Sequence, residues 1–343
     1  MTTFHSMLGA ASSEESGGFL RRGFTRRDAC RLMGLAGLAG WLGAAMPASA
    51  FAAEAELNSA EVSRLFGEFA KTHRMPETLG RWLADPAVQL QAPYQVFDDV
   101  WNVGVRWVSS YLVKTADGWV LIDTTHEPFA EKLPEHIEAA GARLEDIKLV
   151  LMTHGHFDHV GGACRLKPLL PHARFAMSER GWREAFESAK ASAGSHRPWQ
   201  MLDVPDLTIR DGEKIEVGGK TFLALETPGH TWGTCSYLYD VKLDGETHRA
   251  ATIGGQGLNA IEGPEQLEAF IASMKRLGDP AFGVDVDLTA HPFSTGLTEK
   301  IPAIRARRPG DPHPLVNRSD YLARLDRLIA GAQASLDDMK KGR

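Results

Sequence analysis

The fold and the chemistry of this chain are both indicated by residues 153–162, which read Thr-His-Gly-His-Phe-Asp-His-Val-Gly-Gly. Four potential metal ligands fall within six residues of this stretch: His154, His156, Asp158 and His159. In an extended backbone, residues two apart point to the same side, so His154 and His156 can bind one ion together. Asp158 and His159 follow where the chain enters a helix, and they can turn toward a second ion. Because imidazoles and carboxylates suit Zn²⁺, this stretch predicts a zinc site.

The flanking residues place this stretch after a buried strand. Residues 148–153 (Lys-Leu-Val-Leu-Met-Thr) predict a short buried strand, and residues 159–170 predict a helix. Gly155, Gly161 and Gly162 permit the tight backbone that such closely spaced ligands require.

Strand and helix patterns continue on both sides of this stretch. Further strands are predicted at residues 94–104, 108–114, 119–124, 173–177, 207–210, 214–217, 221–226, 235–241, 250–253 and 284–289. Further helices are predicted at residues 129–142, 264–277 and 319–341. Two strand-rich halves, each with helices that need an apolar surface to cover, predict an α/β fold of four layers, an αββα sandwich. Residues 178–198 are polar and helix-like, and they are predicted to form a mobile flap.

Residues 1–52 are predicted to be an export signal. Residues 20–31 are rich in arginine and residues 32–50 carry no charge, a pattern typical of secretory signals. Residues 25–28 (Thr-Arg-Arg-Asp) resemble the twin-arginine signal. A membrane anchor is the alternative, but the many glycines and alanines make the stretch weakly apolar. We therefore expect a periplasmic or secreted protein without a stable membrane anchor.

The rest of the chain is predicted to begin with a helical lead-in at residues 53–93, followed by one domain at residues 94–343. Of the 343 residues, 43% are hydrophobic and 24% are charged, which is ordinary for a globular protein. The net charge is -6 and no dense basic stripe occurs, so we expect no nucleic-acid partner. A small-molecule substrate is the expected partner, and the sequence does not indicate an oligomeric state.

The three cysteines, Cys30, Cys164 and Cys235, are too few for a disulfide scaffold. Cys30 falls within the predicted signal. A bridge between Cys164 and Cys235 is one alternative, but two buried free thiols are favoured because each cysteine lies in a regular apolar segment.

The pattern His-x-His-x-Asp-His at residues 154–159 resembles the signature of the metallo-β-lactamase superfamily. Further matches follow in the right order along the chain. Residues 226–231 (Glu-Thr-Pro-Gly-His-Thr) look like that family's strand-end histidine, and residues 287–292 (Asp-Leu-Thr-Ala-His-Pro) look like its last ligand. Asp123 resembles the family's supporting acid near the metals. The resemblance extends from about Tyr94 to His291.

This resemblance implies two zinc ions per chain. The implied ligands are His154, His156 and His230 for the first ion, and Asp158, His159 and His291 for the second. Asp123 is expected to accept a hydrogen bond from a ligand or a backbone amide and so to hold the site in register.

The branch of the superfamily is indicated by what residues 251–259 lack. Glyoxalase-II-like enzymes and many lactonases place a bridging Asp in this stretch, and other branches place a Cys ligand there, but neither is present here. A set of histidines with one aspartate is similar to the subclass B3 β-lactamases. This chain departs from some B3 enzymes in one respect. Those enzymes carry serines near the positions of Gly255 and Gly257 that contact the substrate carboxylate, whereas residues 255–257 here read Gly-Gln-Gly.

The leading hypothesis is a zinc hydrolase that opens a β-lactam amide with a zinc-bound hydroxide. Zinc lowers the pKa of bound water toward 7, and Asp158 is expected both to bind the metal and to orient this nucleophile. The alternative is an exported hydrolase of the same fold that acts on a lactone, ester or other small carbonyl compound. A third reading is a zinc-binding module without catalytic activity.

Three residues are candidates for the substrate pocket: Trp107, Phe157 and Gln256. His126 lies close to Asp123 in the sequence, but a loop histidine is usually solvated, so a role in the site is not the favoured interpretation.

Overall fold

Two β-sheets, one from each half of the chain, form the centre of the computed structural model, which describes residues 57–72, 74–195 and 197–342. The predicted export signal, with Cys30, lies outside the described residues. From Leu57 onward the chain belongs to one compact unit. Within the described ranges, every helix is too short or too polar to cross a bilayer.

The strands of the first sheet lie side by side in chain order. They are β1 (Tyr94–Phe97), β2 (Val100–Asn102), β3 (Tyr111–Thr115), β4 (Gly118–Ile122), β5 (Ile147–Leu151), β6 (Arg174–Ser178) and β7 (Leu207–Ile209). The pairs from β1 to β4 are antiparallel, whereas β4 to β7 run parallel. Parallel strands need crossover connections, and helices supply them here.

The second sheet is mostly antiparallel. Its strands are β8 (Lys214–Val217), β9 (Lys220–Glu226), β10 (Cys235–Leu243), β11 (Glu246–Thr252) and β12 (Val286–Asp287). Strands β8, β9, β10 and β11 form successive antiparallel hairpins. Strand β12 pairs in parallel with β11 at the edge of the sheet.

Helices flank these sheets and precede the first of them. Their bounds are α1 (Ser59–Thr72), α2 (Glu77–Ala84), α3 (Pro86–Gln89), α4 (Leu133–Ala139), α5 (Phe157–Val160), α6 (Ala163–Leu166), α7 (Glu179–Ser192), α8 (Pro264–Leu277), α9 (Leu297–Ala306) and α10 (Arg318–Lys340). The two predicted helices at residues 264–277 and 319–341 correspond closely to α8 and α10.

Apolar side chains fill three layers between the elements. Between the sheets, Tyr111 and Val113 of β3 pack with Tyr237 of β10, whereas Leu112, which points the other way, packs under the helices of the first sheet. On the outside of the second sheet, residues such as Phe270 of α8 cover the apolar face. Helix, sheet, sheet and helix layers therefore follow one another, and the predicted αββα sandwich is confirmed.

The predicted strand at residues 94–104 is wrong in its extent, because the chain reverses after Phe97 to form the β1–β2 hairpin. The carboxylate of Asp99 accepts hydrogen bonds from Lys242 N at 2.8 Å and Lys220 Nζ at 2.6 Å. Both lysines belong to the second sheet. The alternation of apolar residues along the chain does not indicate this reversal, because the contacts that hold it come from the other sheet.

The predicted helix at residues 159–170 is also wrong in its extent, since it is two short helices, α5 and α6, separated by Gly161 and Gly162. A Cβ atom on Gly162 would lie 2.3 Å from the carbonyl oxygen of Thr124. The chain packs directly against the loop after β4 at this point, and only glycine permits the approach.

Most of the segment at residues 178–198 is the helix α7, so its helix-like pattern is confirmed, but this helix is packed against the first sheet where a flap was predicted. Trp182 on this helix is buried, and its Nε1 donates a hydrogen bond to Leu207 O at 3.0 Å. Ser178 caps the helix by accepting a hydrogen bond from Gly181 N. One face of α7 therefore belongs to the core of the first sheet.

Both described cysteines are free thiols, so the alternative of a disulfide between Cys164 and Cys235 does not apply. Cys235 is buried in the core between the sheets, and Cys164 is half-buried.

Candidate metal centre

The six expected ligands follow the ends of strands of the two sheets, and two of them, Asp158 and His159, lie in the short helix α5. Residues 154–159 follow β5 in the first sheet, whereas His230 follows β9 and His291 follows β12 in the second sheet. These strand ends meet at one edge of the sandwich. The fold therefore gathers three segments that are far apart in the sequence.

The first donor set consists of His154, His156 and His230. His156 Nδ1 lies 3.2 Å from His154 Nε2 and 3.1 Å from His230 Nε2. Ligand nitrogens about 2.0–2.1 Å from a tetrahedral zinc ion lie about 3.4 Å from one another. The observed spacing therefore fits three ligands of one such ion.

The second donor set consists of Asp158, His159 and His291. His159 Nε2 lies 3.2 Å from Asp158 Oδ2 and 3.3 Å from His291 Nε2. Asp158 Oδ2 and His291 Nε2 are 3.7 Å apart. All the ligand atoms within each set lie within 4.8 Å of one another, so each set could hold one metal ion.

Hydrogen bonds to the far side of three rings leave their Nε2 atoms available for a metal. His230 Nδ1 bonds to Gly257 O at 2.6 Å, and His291 Nδ1 bonds to Trp107 O at 2.6 Å. A carbonyl oxygen only accepts, so Nδ1 carries the proton in both rings and Nε2 presents a lone pair. His159 Nδ1 similarly donates to a carboxylate oxygen at 2.8 Å.

That carboxylate belongs to Asp123, which is buried beneath the motif. Its Oδ1 accepts a hydrogen bond from Thr153 N at 2.8 Å, and its Oδ2 accepts from Thr153 Oγ1 at 2.9 Å as well as from His159. Thr153 Oγ1 has only one proton, so it accepts from His154 Nδ1 at 3.0 Å and fixes the tautomer of that ring too.

The backbone of Asp123 is in the left-handed region, with a φ of 63°. A non-glycine residue there costs on the order of 1–3 kcal/mol, and the surrounding hydrogen bonds hold it in place. The structure therefore places Asp123 in the supporting role that the sequence predicts.

Burial keeps most of the ligand rings neutral in the metal-free protein. It lowers the pKa of His156 to about 3 and the pKa of His230 to about 4. Burial also lowers the pKa of His159, but the carboxylates of Asp158 and Asp123 outweigh this effect and raise the pKa to about 10. Neutral imidazoles are the form that binds metals, and a metal ion replaces the proton of His159 on binding.

Trp107 supports the second donor set more than it lines a pocket. Its ring is buried and stacks on His291 with centroids 5.6 Å apart and planes 21° apart. Its carbonyl also orients His291, as described above. Phe157 is half-buried, and its ring centroid lies 6.5 Å from that of Trp107.

The prediction that Gln256 contacts substrate disagrees with its hydrogen bonds. Gln256 is only 9% exposed, and both polar ends of its side chain are used inside the protein. Its Nε2 donates to Thr289 Oγ1 at 3.0 Å, and its Oε1 accepts from Arg324 Nη2. The sequence pattern of the loop after β11 does not reveal a partner on the C-terminal helix.

His126 is buried beside the site, contrary to the expectation of a solvated loop histidine. Its ring makes edge contacts with Trp107, Phe129 and Phe157 at centroid distances of 5.5, 5.0 and 4.9 Å. Its Nδ1 bonds to Glu127 O at 2.7 Å, and burial lowers its pKa. Its position three residues after Asp123 is the signal that could have identified it.

The N-terminal helices also contribute to the site, which the sequence did not predict. Gln89 of α3 is fully buried, and its Oε1 accepts a hydrogen bond from Trp107 N at 3.1 Å. Phe66 of α1 stacks on Phe293, with centroids 4.8 Å apart, just after His291. These helices therefore support the segment that holds the second donor set.

Comparison with known proteins gives a family for the segment that contains most of this site. Residues 103–242 match the family model described as the metallo-β-lactamase superfamily. This range includes five of the six ligands, and His291 lies beyond it. The lactamase-like protein adaB of Aspergillus niger is 28% identical over 195 residues, which are 53% of this chain and 52% of that protein. A hydroxyacylglutathione hydrolase of Acidiphilium cryptum is 37% identical over 105 residues, which are 31% of this chain and 35% of that protein.

The chain thus spans about half the length of the first of these curated relatives and about a third of the second. A solved structure covers more: MEM-A1, a subclass B3 metallo-β-lactamase isolated from a soil metagenome library, is similar with a TM-score of 0.63 and 25% identity. The similarity covers 74% of this chain and 98% of that one. Residues 103–242 therefore match the metallo-β-lactamase superfamily, and the fold of the chain is similar to that of a subclass B3 metallo-β-lactamase.

Proposed function

We propose that this protein is a zinc-dependent hydrolase that opens the amide bond of β-lactams. The observation that carries this proposal is the pair of donor sets. Five imidazole rings and one carboxylate converge there in two adjacent groups. Zinc ions held there would supply Lewis acidity and a lowered pKa for water at neutral pH. Similarity to a subclass B3 enzyme supports the β-lactam substrate.

The residues of the chain would divide the remaining work. Asp158 is ionised, since His159 and His291 hold its pKa well below the usual range despite burial, which acts in the opposite direction. An ionised carboxylate accepts hydrogen bonds through either oxygen, so Asp158 can orient an attacking water while it contributes to the second donor set. Phe157, half-buried within the motif, offers apolar surface next to Asp158 in the sequence.

A second candidate function is hydrolysis of a thioester, ester or lactone. Two observations favour it. A Cβ atom on Gly255 would lie 2.5 Å from His230 Cδ2, so this loop has no room for a side-chain hydroxyl that could contact a substrate carboxylate. A hydroxyacylglutathione hydrolase is also among the similar proteins.

The two candidates are distinguished by a substrate panel measured on zinc-loaded protein with and without a chelator. The panel holds a chromogenic cephalosporin, a hydroxyacyl thioester and a lactone. The expected result is cephalosporin turnover that the chelator abolishes and added zinc restores. Chelator-sensitive turnover of the thioester or lactone alone would instead establish the second candidate.

Variants make the same experiment specific to the site. Asp158→Ala should lose turnover, whereas His172→Gln, a change at an exposed histidine outside both donor sets, should retain it. Two bound zinc ions without hydrolysis of any substrate in the panel would favour the non-catalytic zinc module and contradict both enzymatic candidates.

We also propose that the protein is exported and acts without a nucleic-acid partner or a membrane anchor. The arginine-rich residues 20–31 and the uncharged residues 32–50 support export, and the net charge of -6 argues against binding to nucleic acid. Cell fractionation tests the proposal. Changing Arg26 and Arg27 together to lysine should retain the protein in the cytoplasm, and unchanged periplasmic recovery would exclude a twin-arginine route.

A further inference from the structure

The C-terminal helix α10 carries a buried arginine, Arg324, whose side chain reaches toward the metal centre. Arg324 is 6% exposed, and its Nη1 donates to Asp287 Oδ2 of β12 at 2.5 Å. Its Nη2 donates to Gln256 Oε1 and to Ser294 Oγ, the latter at 3.2 Å. An arginine side chain carries five N–H donors in a rigid planar fork, so one guanidinium can hold all three acceptors at once.

One of these acceptors lies on the loop that orients His230. Gln256 precedes Gly257, whose carbonyl oxygen accepts a hydrogen bond from His230 Nδ1 at 2.6 Å. Fixing the Gln256 side chain therefore also fixes the adjacent peptide against which the His230 ring is aligned.

The other two acceptors, Asp287 and Ser294, lie before and after His291 on the segment that carries it. Ser294 Oγ donates to His291 O at 2.8 Å, and Thr289 Oγ1 accepts from His291 N at 3.2 Å. Thr289 Oγ1 also accepts from Gln256 Nε2 at 3.0 Å and lies 2.8 Å from Ser294 Oγ. The hydrogen bonds thus form a closed network in which each hydroxyl proton has one acceptor.

We propose that Arg324 is a positioning residue for both metal donor sets, because its guanidinium fixes the His230 loop and the His291 segment relative to each other. The proposal rests on the metal centre of the proposed function. The other four ligands come from residues 154–159, a segment that Asp123 holds through its hydrogen bonds with Thr153 and His159. Arg324 therefore acts on the two ligands outside residues 154–159, which are His230 in the first set and His291 in the second.

The test measures zinc affinity rather than turnover. Zinc dissociation constants of the purified chain are determined by competition with a chromophoric chelator. Because Arg324→Met alone would leave Asp287 as an unpaired buried charge, it is combined with Asp287→Asn. Arg327→Met, an exposed change on the same helix, is the matched control. Loss of a direct hydrogen-bonded partner of a metal ligand typically costs 10–100-fold in metal affinity. Because Arg324 acts on His230 and His291 through intervening residues, we expect both dissociation constants of the double variant to rise about tenfold, at the lower end of that range.

A merely structural role for Arg324 would give a different pattern. It would lower the melting temperature of the metal-free protein but leave both dissociation constants of the folded protein unchanged, and that result would overturn the proposal. Weakening of one zinc ion alone would also overturn it. Failure of the wild-type chain to bind two zinc ions would instead count against the proposed function itself.

A milder variant covers the case in which the double variant does not fold. Gln256→Met keeps the Arg324–Asp287 ion pair and removes only the link through the amide. We expect a smaller rise, about three- to tenfold, in both dissociation constants. Dissociation constants equal to those of Arg327→Met would contradict the proposed coupling of the two loops.

Discussion

The six metal donors come from two regions that differ in how they are held. Four lie within residues 154–159, where Asp123 and Thr153 bond directly to the motif. The other two, His230 and His291, stand on loops of the second sheet and depend on carbonyl groups of other segments. The motif therefore determines which atoms are available, whereas tertiary packing determines where the last two donors lie.

This difference predicts that the two regions tolerate change differently. Loss of any donor should remove catalysis. Loss of a supporting contact should lower zinc affinity less at the loops of His230 and His291 than at residues 154–159. Changes at four places in the site test this difference.

The largest effect is expected from removing one donor in each region. His159→Ala and His230→Ala should each lower kcat/KM by at least about 10³-fold, because a metal ion supplies several kcal/mol of transition-state stabilisation. Each variant should also bind one zinc ion fewer, as measured by metal analysis after dialysis. Full zinc content with full activity in either variant would remove that residue from the donor sets.

The second prediction concerns the pH dependence of the metal-free protein. Burial lowers the pKa of His230 and, together with the charge of His159, that of His291 from 6.5 to about 4. The unfolded state therefore binds protons first as the pH falls below 6.5, and the free energy of unfolding should decrease between pH 6.5 and 4. Each imidazole contributes on the order of 3 kcal/mol to this loss.

His159 should act in the opposite direction. Its pKa is raised to about 10, so its contribution to stability is complete below pH 6.5 and is lost as the pH rises toward 10. Chemical denaturation of metal-free protein should therefore show maximal stability near pH 6.5. Stability that continues to rise up to pH 9 would contradict this description of His159.

The third prediction concerns the support of the motif. Asp123→Asn keeps the shape of the side chain but removes its charge, and the amide cannot accept from Thr153 and His159 through both of its ends. Zinc affinity should fall about 10–100-fold, the usual effect of losing a partner of a ligand. Competition with a chelator measures this loss, and Asp117→Asn on an exposed turn is the control. An unchanged affinity would mean that the motif holds its own geometry.

The smallest effect is expected at Trp107. Trp107→Phe keeps an aromatic ring beside His291 and the backbone carbonyl that accepts from His291 Nδ1. The free energy of unfolding should fall by about 1–2 kcal/mol from the smaller buried surface, and zinc affinity should change less than tenfold. A large loss of affinity at the second zinc ion would show that the indole ring itself, rather than the carbonyl, positions His291.

The sequence predicted which side chains converge in the two donor sets, because residue types and spacing indicate metal-binding chemistry. His154, His156, Asp158 and His159 are adjacent, and the residues around His230 and His291 resemble family segments. The sandwich was also predictable, since strands and helices show different periods of apolar residues. These features depend on local pattern.

The features that the sequence missed depend on contacts between distant segments. The hydrogen bonds of Gln256 to Arg324 and of Gln89 to Trp107 join residues 68 and 18 positions apart, and neither pair shows a local signal. Helix α9 was missed because Pro302 lies inside it, and proline usually marks a helix boundary. Helix α7 was taken for a flap because its exposed face is polar, although Trp182 anchors it in the core.

Anomalous X-ray diffraction at the zinc absorption edge, from crystals of the zinc-loaded protein, measures whether each donor set binds one metal ion. The expected result is two anomalous peaks, one among His154, His156 and His230 and one among Asp158, His159 and His291. The absence of a peak at either donor set in fully loaded crystals would contradict the claim.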